Sequence, residues 1–279
     1  MTVEEADRTE IDWPVIPEVA WRRAIGEPCA GVGRPRVDGP MIDDGEWAGV
    51  PIGGLGTGSI GRTFRGDVAR WHLDVGRHRF EPVLADGFSL FVGRPDGSSQ
   101  ATVLAVRPPS GDLRAWGWDL PVGGGTYHAL FPRAWQTFEP DVVGVRVVGE
   151  QLSPVIAGDL ERSALPVGVF EWWVENPGPE TLTVGILASF ADPPGGPDHG
   201  PPSGRPHEER SGTGVDGVVF GDPGAAAPTT LRGTLALVAG ATDGWDLSSA
   251  ASFDPIADID LWTDFATDGR LALTPPARA

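Results

Sequence analysis

From Val50 onward the chain alternates short apolar runs with breaks at Gly, Pro or Asp about every ten residues, the spacing of strands and tight turns in sandwiches and barrels. Helical periodicity is scarce. Two pairs of runs read as hairpins: residues 88–92 with 101–106 through Pro95-Asp96-Gly97, and residues 167–175 with 181–190 through Asn176-Pro177-Gly178. In each turn Gly admits positive φ, Pro presets its own φ, and the Asp or Asn side chain can bond to nearby backbone. The runs at 142–148, 215–220 and 231–239 predict further strands, some continuous enough to be covered on both faces. Trp172 and Trp173 are adjacent, so on a strand they point to opposite faces, which predicts an inner strand. The expected fold is all-β, an antiparallel two-sheet β-sandwich.

The sandwich is expected over residues 41–273. The first forty residues mix Pro, Gly and charge around Trp13 and Trp21, which reads as an arm pinned to the core at those two rings. Residues 191–214 are rich in Pro and Gly and nearly devoid of apolar side chains, which predicts a mobile surface loop. Spaced Ile, Leu, Trp and Phe over 256–265 predict a short helix packed on a sheet. The last residues, 274–279, read as a tail after a break.

Composition narrows the chemistry. Gly (40) and Pro (28) exceed their usual shares of about 7% and 5%, which favours turns over helices. A net charge of −18 repels nucleic acid and anionic lipid alike, so neither is an expected partner. All 21 basic residues are Arg, and without Lys the chain offers no Schiff-base nucleophile and no phosphate-binding lysine. A single cysteine, Cys29, excludes an intrachain disulfide and favours a cytoplasmic location. The acidic N-terminus has no apolar signal core, and no run reaches the roughly 18 apolar residues of a membrane span.

Several motifs fall to their context. Gly56-x-Gly58-x-x-Gly61 matches a dinucleotide fingerprint in form, but RTFRGDVARW follows, with Gly66 interrupting any helix. Tight turns and close backbone approach are the better reading of these glycines. His72, His78, His128, His199 and His207 lack metal-ligand spacing, so no metal and no cofactor are expected. No Gly-x-Ser-x-Gly elbow exists, and Cys29 has no neighbour to lower its pKa. Eleven tryptophans against one tyrosine allow two readings, core filling or stacking on sugar rings, and core filling is the commoner use. Arg62, Arg65, Arg70, Arg77 and Arg79, with Arg94 nearby, form a basic cluster in an acidic chain. Ion pairs with Asp67, Asp74 and Asp86 explain it simply; the alternative is that some forks reach a partner domain or polar substrate.

Four blocks then carry a resemblance: GVPIGGLGTGSIGRTFRGDVARWHLDVG, GGTYHALFPRAW, QLSPVIAGDLERSALPVGVFEWWVENPG and LWTDFATDGRL. Together they resemble the N-terminal domain of glycoside hydrolase family 116, which includes the non-lysosomal (bile acid) glucosylceramidase and bacterial β-glucosidases. The resemblance implies a sandwich that packs on a C-terminal (α/α)6 barrel, where a Glu nucleophile and an Asp acid/base remove β-linked glucose with retention. Retention needs carboxyl groups about 5–5.5 Å apart, and nothing here matches the motifs that supply them. No catalytic residue is therefore assigned. Related domains also continue with further strands beyond the DGRL block.

The resemblance makes this chain an accessory domain whose partner is the (α/α)6 barrel, in cis or in trans, with β-glucoside reached only through it. Arg65, Arg70, Trp71, His128, Arg133 and Trp135 are the candidates for contact with barrel or substrate, because they join polar forks to aromatic faces within the shared blocks. The alternatives are a stand-alone carbohydrate-binding module using exposed Trp, and an interaction protein that pairs with a separately encoded barrel.

Overall fold

The computed structural model describes residues 12–27, 34–36, 39–42, 49–74, 77–80, 83–107, 113–190, 207–212, 215–220, 235–240, 245–250 and 260–271. Its main body is two antiparallel sheets. The first is five-stranded, in the order β1 (Trp21–Ala24), β9 (Thr126–Leu130), β10 (Arg133–Phe138), β11 (Arg146–Leu152) and β12 (Val169–Glu175). The second is three-stranded, in the order β13 (Thr183–Ser189), β7 (Gly87–Gly93) and β8 (Ser99–Val103).

Period-2 alternation explains why these strands stack. On β7, Phe88, Leu90 and Val92 face the first sheet and join Tyr127, Ala134, Phe138 and Val147 in the largest core cluster. The Phe88 ring lies 5.0 Å from that of Phe170 and 4.9 Å from that of Trp172, so the two sheets meet through aromatic contacts. Phe91 points the other way, into a second cluster with Leu261, Trp262 and Phe265 of α3 (Asp260–Asp268). The layers therefore run sheet, sheet, helix.

A third sheet, β4 (Ser59–Arg62), β5 (Val68–Asp74) and β6 (Arg77–Phe80), adds Val68 and Trp71 to the main core. Strands β14 (His207–Gly212), β15 (Val215–Phe220) and β16 (Leu235–Gly240) form a fourth sheet. The pair β2 (Arg34–Arg36) and β3 (Gly39–Ile42) forms a fifth. Two single-turn helices, α1 (Pro140–Val143) and α2 (Leu160–Ser163), sit in connections.

The expected all-β antiparallel sandwich is the fold. The 95–97 turn closes the β7–β8 hairpin, with Gly97 at φ 84° and the Asp96 carboxylate accepting the Ser98 amide at 2.9 Å. The second expected hairpin is not one. Asn176 does form its turn, accepting the Gly178 amide at 3.0 Å, but β12 pairs with β11 while β13 pairs with β7. The connection is an arch between sheets, because turn chemistry fixes a reversal and not which neighbour the next strand takes.

Other expectations shift more locally. The run at 142–148 divides into the end of α1 and the start of β11. Within the expected loop, residues 207–212 are strand β14, paired along its length with β15; residues 191–206 and 213–214 lie outside the described residues. The expected helix at 256–265 is found from Asp260, its earlier residues being outside that set. Strand β12 ends the described order of its sheet, yet both its faces are covered. Trp172 packs on the main core, while Trp173, with Trp13 and Ile16, packs on Ala20, Trp135 and Val148. Trp13 thus pins the leading segment, and Trp21 extends the sheet as part of β1.

Candidate functional surface

Three connections that are far apart in sequence are tied together at one end of the first sheet. The knot is Ser153, just past β11. Its amide donates to the Pro132 carbonyl at 3.0 Å, its hydroxyl oxygen accepts the Gly53 amide at 3.0 Å, and the hydroxyl donates to the Pro51 carbonyl at 3.1 Å. Ser163, at the end of α2, repeats the device: its carbonyl accepts the Leu55 amide at 2.7 Å and its hydroxyl oxygen accepts the Ile156 amide at 2.8 Å. Gly54 fits here because a Cβ would run into the backbone carbonyl of Leu165. The Gly-rich run thus serves close approach, and β4, not a helix, follows it.

These connections expose large apolar side chains. Leu55, Leu130, Ile156, Leu165 and Val167 stand out into solvent, with Phe131 at 52% and Leu160 at 73% exposed. Scattered exposed leucines mean little, but apolar side chains carried together on loops that hydrogen bonds tie to one another suit an interaction site. All of these residues belong to three of the four blocks that carry the family resemblance.

Beside this end runs the outer face of the first sheet. Antiparallel register places Arg22, His128, Trp135, Glu150 and Glu171 in one row across β1, β9, β10, β11 and β12. Arg133, two residues before Trp135 on the same face, donates its Nε to the buried carboxylate of Glu150 and lies 5.6 Å from the Trp135 ring centroid. His128 is held below the usual imidazole pKa by burial and by the charge of Arg22 opposite it.

The sequence candidates therefore fall into two groups. His128, Arg133 and Trp135 share the outer face of the first sheet, where Trp135 is 1% exposed and so offers no ring to a ligand. Arg65, Arg70 and Trp71 belong to the third sheet, Arg65 in the turn between β4 and β5 and the other two on β5. Arg65 stacks at 4.4 Å over the Phe64 ring, Arg70 is half-buried and engaged within the fold, and Trp71 is in the main core. Most of the tryptophans fill cores, as Trp116 does by stacking at 5.1 Å on Trp262. Of the Arg cluster, buried Arg62 hydrogen-bonds neutral oxygens, Oε1 of Gln151 and the Gly66 carbonyl. Sequence reasoning missed the exposed apolar set, because it sought charged forks and rings.

The surface combines exposed apolar side chains with a polar flank. Glu150 is paired with Arg133, and the buried carboxylates Asp67 and Asp86 line a small cavity at the start of β7. Among the described residues no three His, Cys, Asp or Glu side chains are grouped to hold a metal, and no helix is long and apolar enough to cross a membrane. The sequence model described as beta-glucosidase 2, glycosyl-hydrolase family 116 N-term, matches residues 49–279, and the chain belongs to that family.

Proposed function

We propose that this chain is a non-catalytic support domain of a glucosylceramidase-like β-glucosidase, and that its loop end docks a catalytic (α/α)6 barrel in cis or in trans. The observation that carries the reading is the braced set of exposed apolar residues, Leu55, Leu130, Phe131, Ile156, Leu160, Leu165 and Val167. Hydrogen bonds from Ser153 and Ser163 hold these loops in place, so a partner meets a surface whose ordering cost is already met. A support domain acts on rate by position, since a small displacement at a reacting centre costs much of the catalysis. The carbohydrate-binding alternative needs open Trp faces, and burial of Trp71, Trp116, Trp135 and Trp262 leaves it Trp245, 40% exposed, as its most open ring among the described residues.

The test assays the purified chain on an aryl β-glucoside, alone and with the separately produced barrel domain of a family 116 β-glucosidase. The reading expects no turnover by the chain alone, binding to the barrel, and loss of that binding in the double variant Phe131→Ser, Leu160→Ser. Enzymatic turnover by the chain alone, or full binding by the double variant, would overturn it.

A further inference from the structure

The start of β5 and the turn before β7 bring two carboxylates, Asp67 and Asp86, to one cavity of about 10 Å³ beneath β7 and β13. Both residues are 2% exposed. Ser89 and Ser189 also line the cavity, and Phe88, Trp116 and Trp118 help to close it. The two oxygens of Asp67 differ. Oδ1 accepts the Thr63 hydroxyl, whereas Oδ2 is buried with no hydrogen-bond partner. Asp86 is already engaged within the fold.

A buried carboxylate oxygen left without a donor is costly, and a cation or donor beside it removes the cost. The nearby Arg62 guanidinium is committed to Gln151 and to the Gly66 carbonyl. Burial accordingly raises the Asp67 pKa in spite of the Thr63 hydroxyl and the charges of Arg65 and Arg62. The cavity has room for about one water-sized species. Carboxylates and hydroxyls are hard oxygen ligands that suit calcium or sodium and not the metals that favour thiolate or imidazole.

We propose that this cavity is a binding site for one small hard cation, with Asp67 and Asp86 supplying charge and Ser89 and Ser189 neutral oxygens. The site locks the β5 start to β7 and β13, and it does not depend on the support-domain reading.

The experiment uses the full chain, freed of metal by chelation and exchanged into a potassium buffer. Calcium and sodium are then added in separate arms, with magnesium as a control, while thermal unfolding and titration calorimetry are followed. Expected is one bound ion per chain with calcium or sodium and a saturable rise of several degrees in Tm. Asp67→Asn should abolish the rise. If that variant does not fold, Ser89→Ala and Ser189→Ala should each weaken the ion at least several-fold. Absence of binding in both arms, or an undiminished response in the variants, would overturn the proposal.

Discussion

The Nε of Arg62 on β4 donates to Oε1 of Gln151 on β11, a buried contact between positions 89 apart in the chain. It pins the third sheet to the first across the main core, and the guanidinium lies 5.5 Å and 5.9 Å from the ring centroids of Phe88 and Phe170. Burial lowers the Arg62 pKa to about 10, a sign that the charge is held with little solvent. Arg62→Met removes the donors and leaves Gln151 and the Gly66 carbonyl buried without them, so it should cost about 2–4 kcal/mol in urea unfolding. Arg62→Lys should recover only part of this, because an ammonium cannot reproduce the planar fork.

Loss of the Ser153 hydroxyl tests whether the loop end is braced as described. Ser153→Ala leaves the Gly53 amide and the Pro51 carbonyl without their partner, and the expected destabilisation is about 1–3 kcal/mol. Hydrogen exchange should accelerate first at Gly53, whose amide donates to the Ser153 hydroxyl, and less at Leu55, whose amide is held by the Ser163 carbonyl. If exchange there is unchanged while global stability falls, Ser153 matters to the core and not to the loops.

What was legible in the sequence was mostly local. The alternation in residues 88–92 predicts the two-faced β7, and Pro95-Asp96-Gly97 predicts its hairpin, because both depend on neighbours within the same segment. Asn176-Pro177-Gly178 predicts a turn equally well, but whether β13 returns to β12 or crosses to β7 depends on residues far away in the chain, such as Val92 opposite Val184. Strand β14 was hidden because HEERSG has no apolar face and takes its order from pairing with β15. The candidate surface was the least legible part. Leu55, Phe131 and Leu160 look like core residues in any local window, and only the fold shows that they are left outside.

The row through His128 gives a pH signature. Its pKa is held below 6.5 by burial first and by the Arg22 charge second. Between that lowered value and 6.5 the unfolded chain binds more protons than the folded one, so stability falls as pH drops through this window. His128→Gln should flatten the profile there, and Arg22→Gln should narrow the window by removing one of its two causes. Urea midpoints from pH 7.5 to 5 measure both, and superimposable profiles for wild type and His128→Gln would show that this imidazole carries none of the dependence.

Asp67 works in the opposite sense. Burial raises its pKa above 3.8, so in metal-free buffer the folded chain holds a proton that the unfolded chain has released. Its contribution is therefore most favourable below about 3.8, the ordinary carboxylate value, and is lost as pH climbs through the raised folded value. Compared with Asp67→Asn, which keeps an acceptor for Thr63 but carries no charge, the wild type should gain stability on acidification from neutral pH. Saturating calcium or sodium should reverse that slope, because a bound cation favours the ionised carboxylate and acid would then expel it. Chelated and ion-loaded unfolding curves taken in steps from pH 8 down to pH 4, each referenced to Asp67→Asn, separate the two cases by sign alone. A wild-type curve that tracks the variant across that whole range would mean that this carboxylate makes no difference to folding.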